Sequence, residues 1–183
     1  DRDIVDIFAI QDEITQSVVG AVEPEMLLME GKRAFRKSIG NLDAFDCCMR
    51  AMWHFSQITP ADHDQAIVLL RQAIALDPNL AQAHMALART LNSRIWCGWS
   101  SDFDSDISET YAAAARSVAL DDRDPYCHYA FCWASLLRRM HDQALAEAQR
   151  SIDLNTNFAL GFFSLGLVRI YIGHFGEAID PLL

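Results

Sequence analysis

Residues 125–148, PYCHYAFCWASLLRRMHDQALAEA, return in character 34 positions later as residues 159–182, ALGFFSLGLVRIYIGHFGEAIDPL. Under that shift Phe131 falls on Leu165, Cys132 on Gly166, His141 on Phe175, Ala144 on Ala178 and Ala148 on Leu182. An apolar or small residue is kept at most of these packing positions, and only Arg139, which falls on Gly173, is out of character. Self-similarity at such a spacing marks stacked structural repeats. Working backward, Ala66, Leu70, Ala73, Leu76 and Pro78 carry a small-large alternation closed by proline, and Thr110, Ala114, Ser117 and Leu120 carry a degraded copy. Between them His84, Leu87, Ala88 and Leu91 stand at i, i+3, i+4 and i+7, one face of a helix. Each unit is therefore expected to be two helices.

The small residues have a mechanical role, because antiparallel helices joined by a short turn approach closely only where side chains are small. Ala88, Cys132 and Gly166 supply this on first helices, and Ala66, Ala144 and Ala178 on second helices. Leu70 and Leu182 are expected to fill the space between neighbouring units.

These residues resemble the tetratricopeptide repeats, whose pattern is W-x2-L-G-x2-Y followed by A-x3-F and a closing proline. The clearest copy is Phe162, Leu165, Gly166, Arg169, Gly173, Phe175, Ala178 and Leu182, which departs from the pattern at Arg169. The resemblance covers residues 42–183 in about four units. It implies an all-α fold, a right-handed superhelical array of antiparallel helix pairs preceded by one or two N-terminal helices. Residues 1–40 would then be a helical linker or capping segment, and residues 41–183 the repeats, the last truncated inside its second helix. An end without a polar capping helix is expected to fray, dimerise or be covered by further chain. Two irregularities are expected: an enlarged turn around Thr59 to Asp64, and an insertion from Trp96 to Asp106 between the helices of the second unit.

The chain has 183 residues, of which 51% are hydrophobic, and a formal charge of −10. A compact fold of this size removes roughly 70% of its unfolded surface from water, and an elongated array less. The negative balance argues against a basic face for nucleic acid. The longest apolar stretch, Phe158 to Ile172, is broken by Arg169 and falls short of the roughly 20 residues of a membrane span. Asp1, Arg2 and Asp3 do not begin a signal peptide, and the chain reads as though cut from a longer one. Five cysteines, Cys47, Cys48, Cys97, Cys127 and Cys132, cannot all pair, which fits a reducing, cytoplasmic setting.

Ahead of the repeats, Ile4, Ile7, Phe8, Ile14, Val18 and Val22 describe one face of an amphipathic helix. Pro24 suits a restart, and Lys32, Arg33, Arg36 and Lys37 fall late in the next run, where the helix dipole favours cations. Two helices or one kinked helix fit equally. The segment from Asp6 to Ile14, with Asn41 to Asp46 downstream, looks like a junction in bacterial multidomain signalling proteins. There it joins tetratricopeptide repeats to an upstream class III adenylate or guanylate cyclase domain, or to a winged-helix DNA-binding domain, often through a TolB-like region. The resemblance implies a regulatory tail for signal transduction, with any catalysis in chain upstream; no cyclase residue has a counterpart here.

Residues that could carry chemistry read better as packing or solvated turns. Cys127, His128, Cys132 and His141 lack the paired spacing of a zinc site. Asp102, Asp104, Asp106 and Glu109 alternate as in a calcium loop, yet the mid-loop glycine is missing and Glu109 comes too early. No nucleophile elbow, phosphate-binding loop or H-E-x-x-H is present. No enzymatic activity, metal or cofactor is expected of these residues.

The resemblance implies that first helices line a concave surface. Residues spaced three, four and three apart would face it: Gln82, Met85, Arg89 and Asn92; Tyr126, Tyr129, Trp133 and Leu136; Leu160, Phe163, Leu167 and Ile170. An assignment shifted by one position would instead put part of this set in the core. Full exposure of Tyr126, Tyr129, Trp133 and Phe163 would leave on the order of 600 to 1,000 Å² of aromatic surface, more than a monomer normally shows. The candidates to cover it are the N-terminal helices, the upstream domain, a second copy forming a homodimer, or an apolar helix of a protein or peptide partner. Trp96 and Trp99, flanking Gly98 in the expected insertion, are further contact candidates. Only Arg89 and Asn92 could serve a carboxylate clamp of the chaperone-binding type, so such a clamp is not supported.

Overall fold

The computed structural model describes residues 43–174 and 176. Among them are seven helices and no strand: α1 (Ala44–Ser56), α2 (Pro60–Leu76), α3 (Ala81–Trp96), α4 (Phe103–Leu120), α5 (Pro125–Leu137), α6 (His141–Leu154) and α7 (Ala159–Tyr171). They form pairs α1/α2, α3/α4 and α5/α6, with α7 opening a further unit 34 residues after α5. The helices expected over Ile4 to Lys37, and the packing roles expected of Phe175, Ala178 and Leu182, fall on residues outside those described.

The two helices of a unit end differently, and each ending recurs. First helices close with a residue in the left-handed region: Ile58 (φ 52°), Gly98 (φ 72°), Arg139 (φ 59°) and Gly173 (φ 85°). After α5, Arg139 N–H donates to the Leu136 carbonyl (2.9 Å) and Met140 N–H to that of Ser135 (2.9 Å); α3 and α7 end in the same two bonds. This is the Schellman closure, which consumes carbonyls the helix would leave unpaired. Second helices instead end at Asp77, Asp121 and Asn155 with extended or near-extended backbone. Each side chain accepts the amide two residues on, from Asn79, Arg123 and Asn157, at 2.9, 3.1 and 3.0 Å. That turn breaks the helix and aims the chain at the next unit.

Four of the seven helix starts are capped by a side chain, and those of α3, α6 and α7 are not. Asp43 and Asp46 form a capping box on α1. Thr59, Asp102 and Asp124 accept first-turn amides of α2, α4 and α5, and Pro60 and Pro125 occupy positions where a missing N–H costs nothing.

Every helix packs on the next in sequence, and α1, α3, α5 and α7 also pack each on the next first helix. The second helices make no comparable backbone approach to one another and meet through long side chains, as in the bidentate pair of Arg71 with Glu109 (2.9 and 2.6 Å). Closer spacing on one side than on the other curves the array, with the first helices inside. The packing positions expected from sequence are buried: Ala66, Leu70 and Ala144 are inaccessible, and Ala88 and Cys132 are 1% exposed.

Two expected irregularities are corrected. The turn at Thr59 to Asp64 is short, since α2 begins at Pro60 and the extra residues lengthen the helix. Of the stretch from Trp96 to Asp106 only residues 97–102 connect helices; Trp96 ends α3, and Phe103 starts an α4 of 18 residues. The lengthened α4 is anchored where Arg94 grips the buried Asp106 through Nε (3.0 Å) and Nη2, and Asp64 through Nη1 (3.2 Å). Asp106 thus serves as an ion-pair partner tying α3 to α4, and Asp102 as a helix cap.

Candidate functional site

The inner face carries two adjoining cavities. One, of about 280 Å³, is lined among others by Phe55, Asn92, Trp96, Tyr129, Trp133 and Phe163. The other, of about 270 Å³, is lined among others by Phe45, Met49, Met52, Met85 and Tyr126. Arg89 belongs to both and divides them. Its guanidinium carbon lies 5.3 Å from the ring of Phe55, 5.6 Å from Tyr126 and 5.7 Å from Tyr129. Cation–π attraction holds it there, and among the described residues Arg89 has no ion-pair partner. Asp124, on the wall of the second cavity, caps α5 by accepting the Tyr126 amide at 2.8 Å. Burial holds its carboxyl above the usual range, and burial likewise raises the Tyr129 phenol although the Arg89 charge pulls it down.

Beyond Arg89 the wall is aromatic. Phe163 stacks on Trp133 at 6.1 Å, Trp96 meets Trp133 edge-on at 5.6 Å, and Tyr171 meets Trp96 at 6.2 Å. Trp133 Nε1–H donates to Ser164 Oγ (3.0 Å), joining α5 to α7. The rings shelter one another, so the exposed aromatic area is smaller than full exposure would give: Trp133 is 9% exposed, against 48% for Phe163, 46% for Trp96 and 50% for Tyr171.

The structure brings Arg89, Asn92, Tyr129, Trp133 and Phe163 to one cavity and Gln82, Met85 and Tyr126 to its neighbour. Leu136 and Met85 are buried, Leu160 and Leu167 are half-buried, and Ile170 is exposed. Neither cavity includes Leu167. Trp96 joins the groove from the end of α3 rather than from a loop. Trp99 turns back on the body: its ring meets that of His63 edge-on at 5.1 Å. The α1 wall went unassigned in the sequence, although Phe45, Cys48, Met52 and Phe55 keep the same three-four-three spacing.

Cys127, His128 and Cys132 are buried in the array. Burial pushes Cys48, Cys127 and Cys132 up to about 12, so none is a ready thiolate at neutral pH. His128 is clasped between Glu147 Oε2 (2.7 Å from Nδ1) and the Asp122 carbonyl (3.0 Å from Nε2). Burial lowers its pKa, but these two acceptors outweigh it and hold the ring above the usual imidazole value. Among the described residues no group of three or more His, Cys, Asp or Glu side chains is placed to hold a metal ion.

Helix pairs of this length, stacked first helix on first helix and closed by the same turns, decide the architecture. This is the tetratricopeptide fold. The solved structures agree: a thermophilic tetratricopeptide protein of Thermus thermophilus matches with a TM-score of 0.66 at 13% identity, over 76% of this chain and 70% of that one. MamA from Desulfovibrio magneticus RS-1 matches with a TM-score of 0.61 at 15% identity, over 95% of this chain and 90% of that one. The first tetratricopeptide domain of human RPAP3 matches with a TM-score of 0.60 at 13% identity, over 73% and 95%. No family model matches the chain. In sequence it is similar to a protein of Rhizobium meliloti (strain 1021) named "Putative adenylate cyclase 3", 29% identical over 146 residues, which are 79% of this chain. The match spans 24% of that relative's length. Among the described residues no helix of the tetratricopeptide array is long and apolar enough to cross a membrane.

Proposed function

We propose that this chain is a non-enzymatic scaffold that binds a protein or peptide along its concave face. The observation that carries this is Arg89 in its aromatic cage, without an ion-pair partner among the described residues and flanked by two cavities with apolar walls. Protein interfaces favour this composition of aromatic, Met and Arg side chains. The site residues are Met85, Arg89, Asn92, Tyr126, Tyr129, Trp133, Phe163 and Leu167, joined by Trp96, with Trp99 bracing the adjoining loop.

Residues 1–40 form a linker ahead of repeats in residues 41–183, and the chain is the cytoplasmic, regulatory C-terminal part of a bacterial multidomain signalling protein. Likeness to part of a longer relative carrying a cyclase name supports an upstream adenylate or guanylate cyclase domain. An upstream winged-helix domain, making the whole a transcriptional regulator, is the second reading, supported by the junction around Asp6 to Ile14. The residues preceding Asp1 distinguish them. The scaffold itself is tested by pull-down from the source cell with the unsubstituted chain and a Tyr129→Ala/Trp133→Ala variant. The reading predicts loss of specifically recovered proteins with the variant; equal recovery, with helical circular dichroism intact in both, contradicts it.

A further inference from the structure

We infer that the concave groove selects a partner helix laid along α3, with apolar side chains at i and i+7 and a single carboxylate between them, at i+3 or i+4, seated on Arg89. The inference rests on the concave face being the protein-binding site, and it names the chemistry of the partner.

The register comes from the way the two cavities follow each other along the first helices. On α3 one cavity takes residues from Gln82 to Arg89 and the other takes residues from Arg89 to Trp96. On α5 the same succession runs from Asp124 and Tyr126 to Tyr129 and Trp133. The cavity centres are thus about seven helical residues apart, or about 10 Å. A bound helix lying along α3 repeats that spacing at i and i+7, and keeps i+3 and i+4 on the same face. An extended segment does not: at about 3.3 Å per residue the same distance is three residues, whose side chains point to opposite faces.

The chemistry comes from Arg89. It is half-buried, held over the rings of Phe55, Tyr126 and Tyr129, and has no ion-pair partner among the described residues. Asp124 of the neighbouring wall already accepts the Tyr126 amide at 2.8 Å. Apolar side chains entering both cavities would carry the partner across the guanidinium and strip its water, and a charge buried without an acceptor is costly. A carboxylate at the midpoint supplies an acceptor of opposite charge. General acidity does not substitute for it, because the chain carries a formal charge of −10 and repels an acidic segment. The cavities, of about 270 and 280 Å³, have room for Leu, Met or Phe anchors against Met and aromatic walls.

The test follows the fluorescence anisotropy of a labelled, alanine-rich helix of about five turns added to the full chain. The peptide carries leucine at its sixth and thirteenth positions, glutamate at its tenth, and lysines only on the opposite face. Exchanging the glutamate for glutamine, or moving it to the eighth position on the far side of the helix, should weaken binding roughly fivefold. Arg89→Gln should abolish that difference while the helical circular dichroism of the chain is unchanged. A strand-forming peptide with leucines three residues apart should bind no better than the glutamine helix. Equal binding of the glutamate and glutamine helices to the unsubstituted chain overturns the inference, as does a preference for glutamate that survives Arg89→Gln. Binding of neither helix also overturns it, since the groove is then closed to a helix of this chemistry, whether by a second copy or by another segment. None of these results touches the scaffold reading, which stands or falls on the capture comparison with Tyr129→Ala/Trp133→Ala.

Discussion

The array has two hydrophobic cores that meet at α5, and they are built differently. The first runs from Cys47 through Leu70 and Leu91 to Ala134 and is filled by Cys, Met, Ala and Leu side chains. Among the described residues the second, around Trp133, Ala148, Ile152, Leu165 and Val168, is smaller and flanked by Tyr129 and Phe162. Their buried histidines also differ. His63, in the first half, is lowered chiefly by burial and bridges the Thr59 carbonyl and the Ser93 hydroxyl (3.1 and 3.0 Å), an arrangement for a neutral ring. His128, in the second half, faces two acceptors and suits a charged one. The smaller core has less reserve, so the half that presents the aromatic wall is expected to be the less stable.

The hardest blow to the second core is Gly161→Val. A Cβ at Gly161 would stand 2.6 Å from Ser151 Oγ and 2.9 Å from Ile152 Cγ1, so α7 would have to move off α6. A loss of about 2–3 kcal/mol is expected in urea unfolding, with hydrogen exchange faster in α6 and α7 than in α1 to α4. Uniform loss of protection would show that the two cores are one cooperative unit.

Acidity separates the halves next. The raised pKa of His128 stabilises the fold fully below the unfolded value near 6.5, and that contribution disappears as pH rises through the folded value. His63 has the opposite sign: its contribution is present above the unfolded value and is lost as pH falls through the lowered folded one. Glu147→Gln should cost about 1–2 kcal/mol at pH 6 and flatten the alkaline slope, measured by thermal unfolding across pH 5 to 9. An unchanged slope would remove His128 from the account.

The smallest effects lie in the turns. Ile58 and Arg139 hold left-handed backbone that Gly98 and Gly173 adopt without strain. Ile58→Gly and Arg139→Gly are each expected to stabilise by about 0.5–1 kcal/mol, more for the β-branched Ile58. Destabilisation by either would mean that its side chain contributes more than the strain costs.

Much of the fold was legible because repeats leave a period. Pairing of helices, the small residues at their crossings and the Arg139 anomaly all follow from a shift of 34. Loop boundaries were not, since Asp102 and Thr59 read as loop residues until their capping role fixes where α4 and α2 begin. At the site, spacing along single helices found Arg89, Tyr129, Trp133 and Phe163. It could not show that Phe55 of α1 and Trp96 of α3 converge on them, because convergence depends on how units stack.

The most direct test sets the aromatic wall against the outer face. Two variants would be compared for partner capture: Tyr129→Ala/Trp133→Ala inside, and Val68→Ala/Phe103→Ala at exposed positions on α2 and α4. Binding weaker by about tenfold or more for the first, and unchanged for the second, is the predicted result. Loss through the outer pair, with the inner pair binding as the unsubstituted chain does, would contradict the concave face as the site.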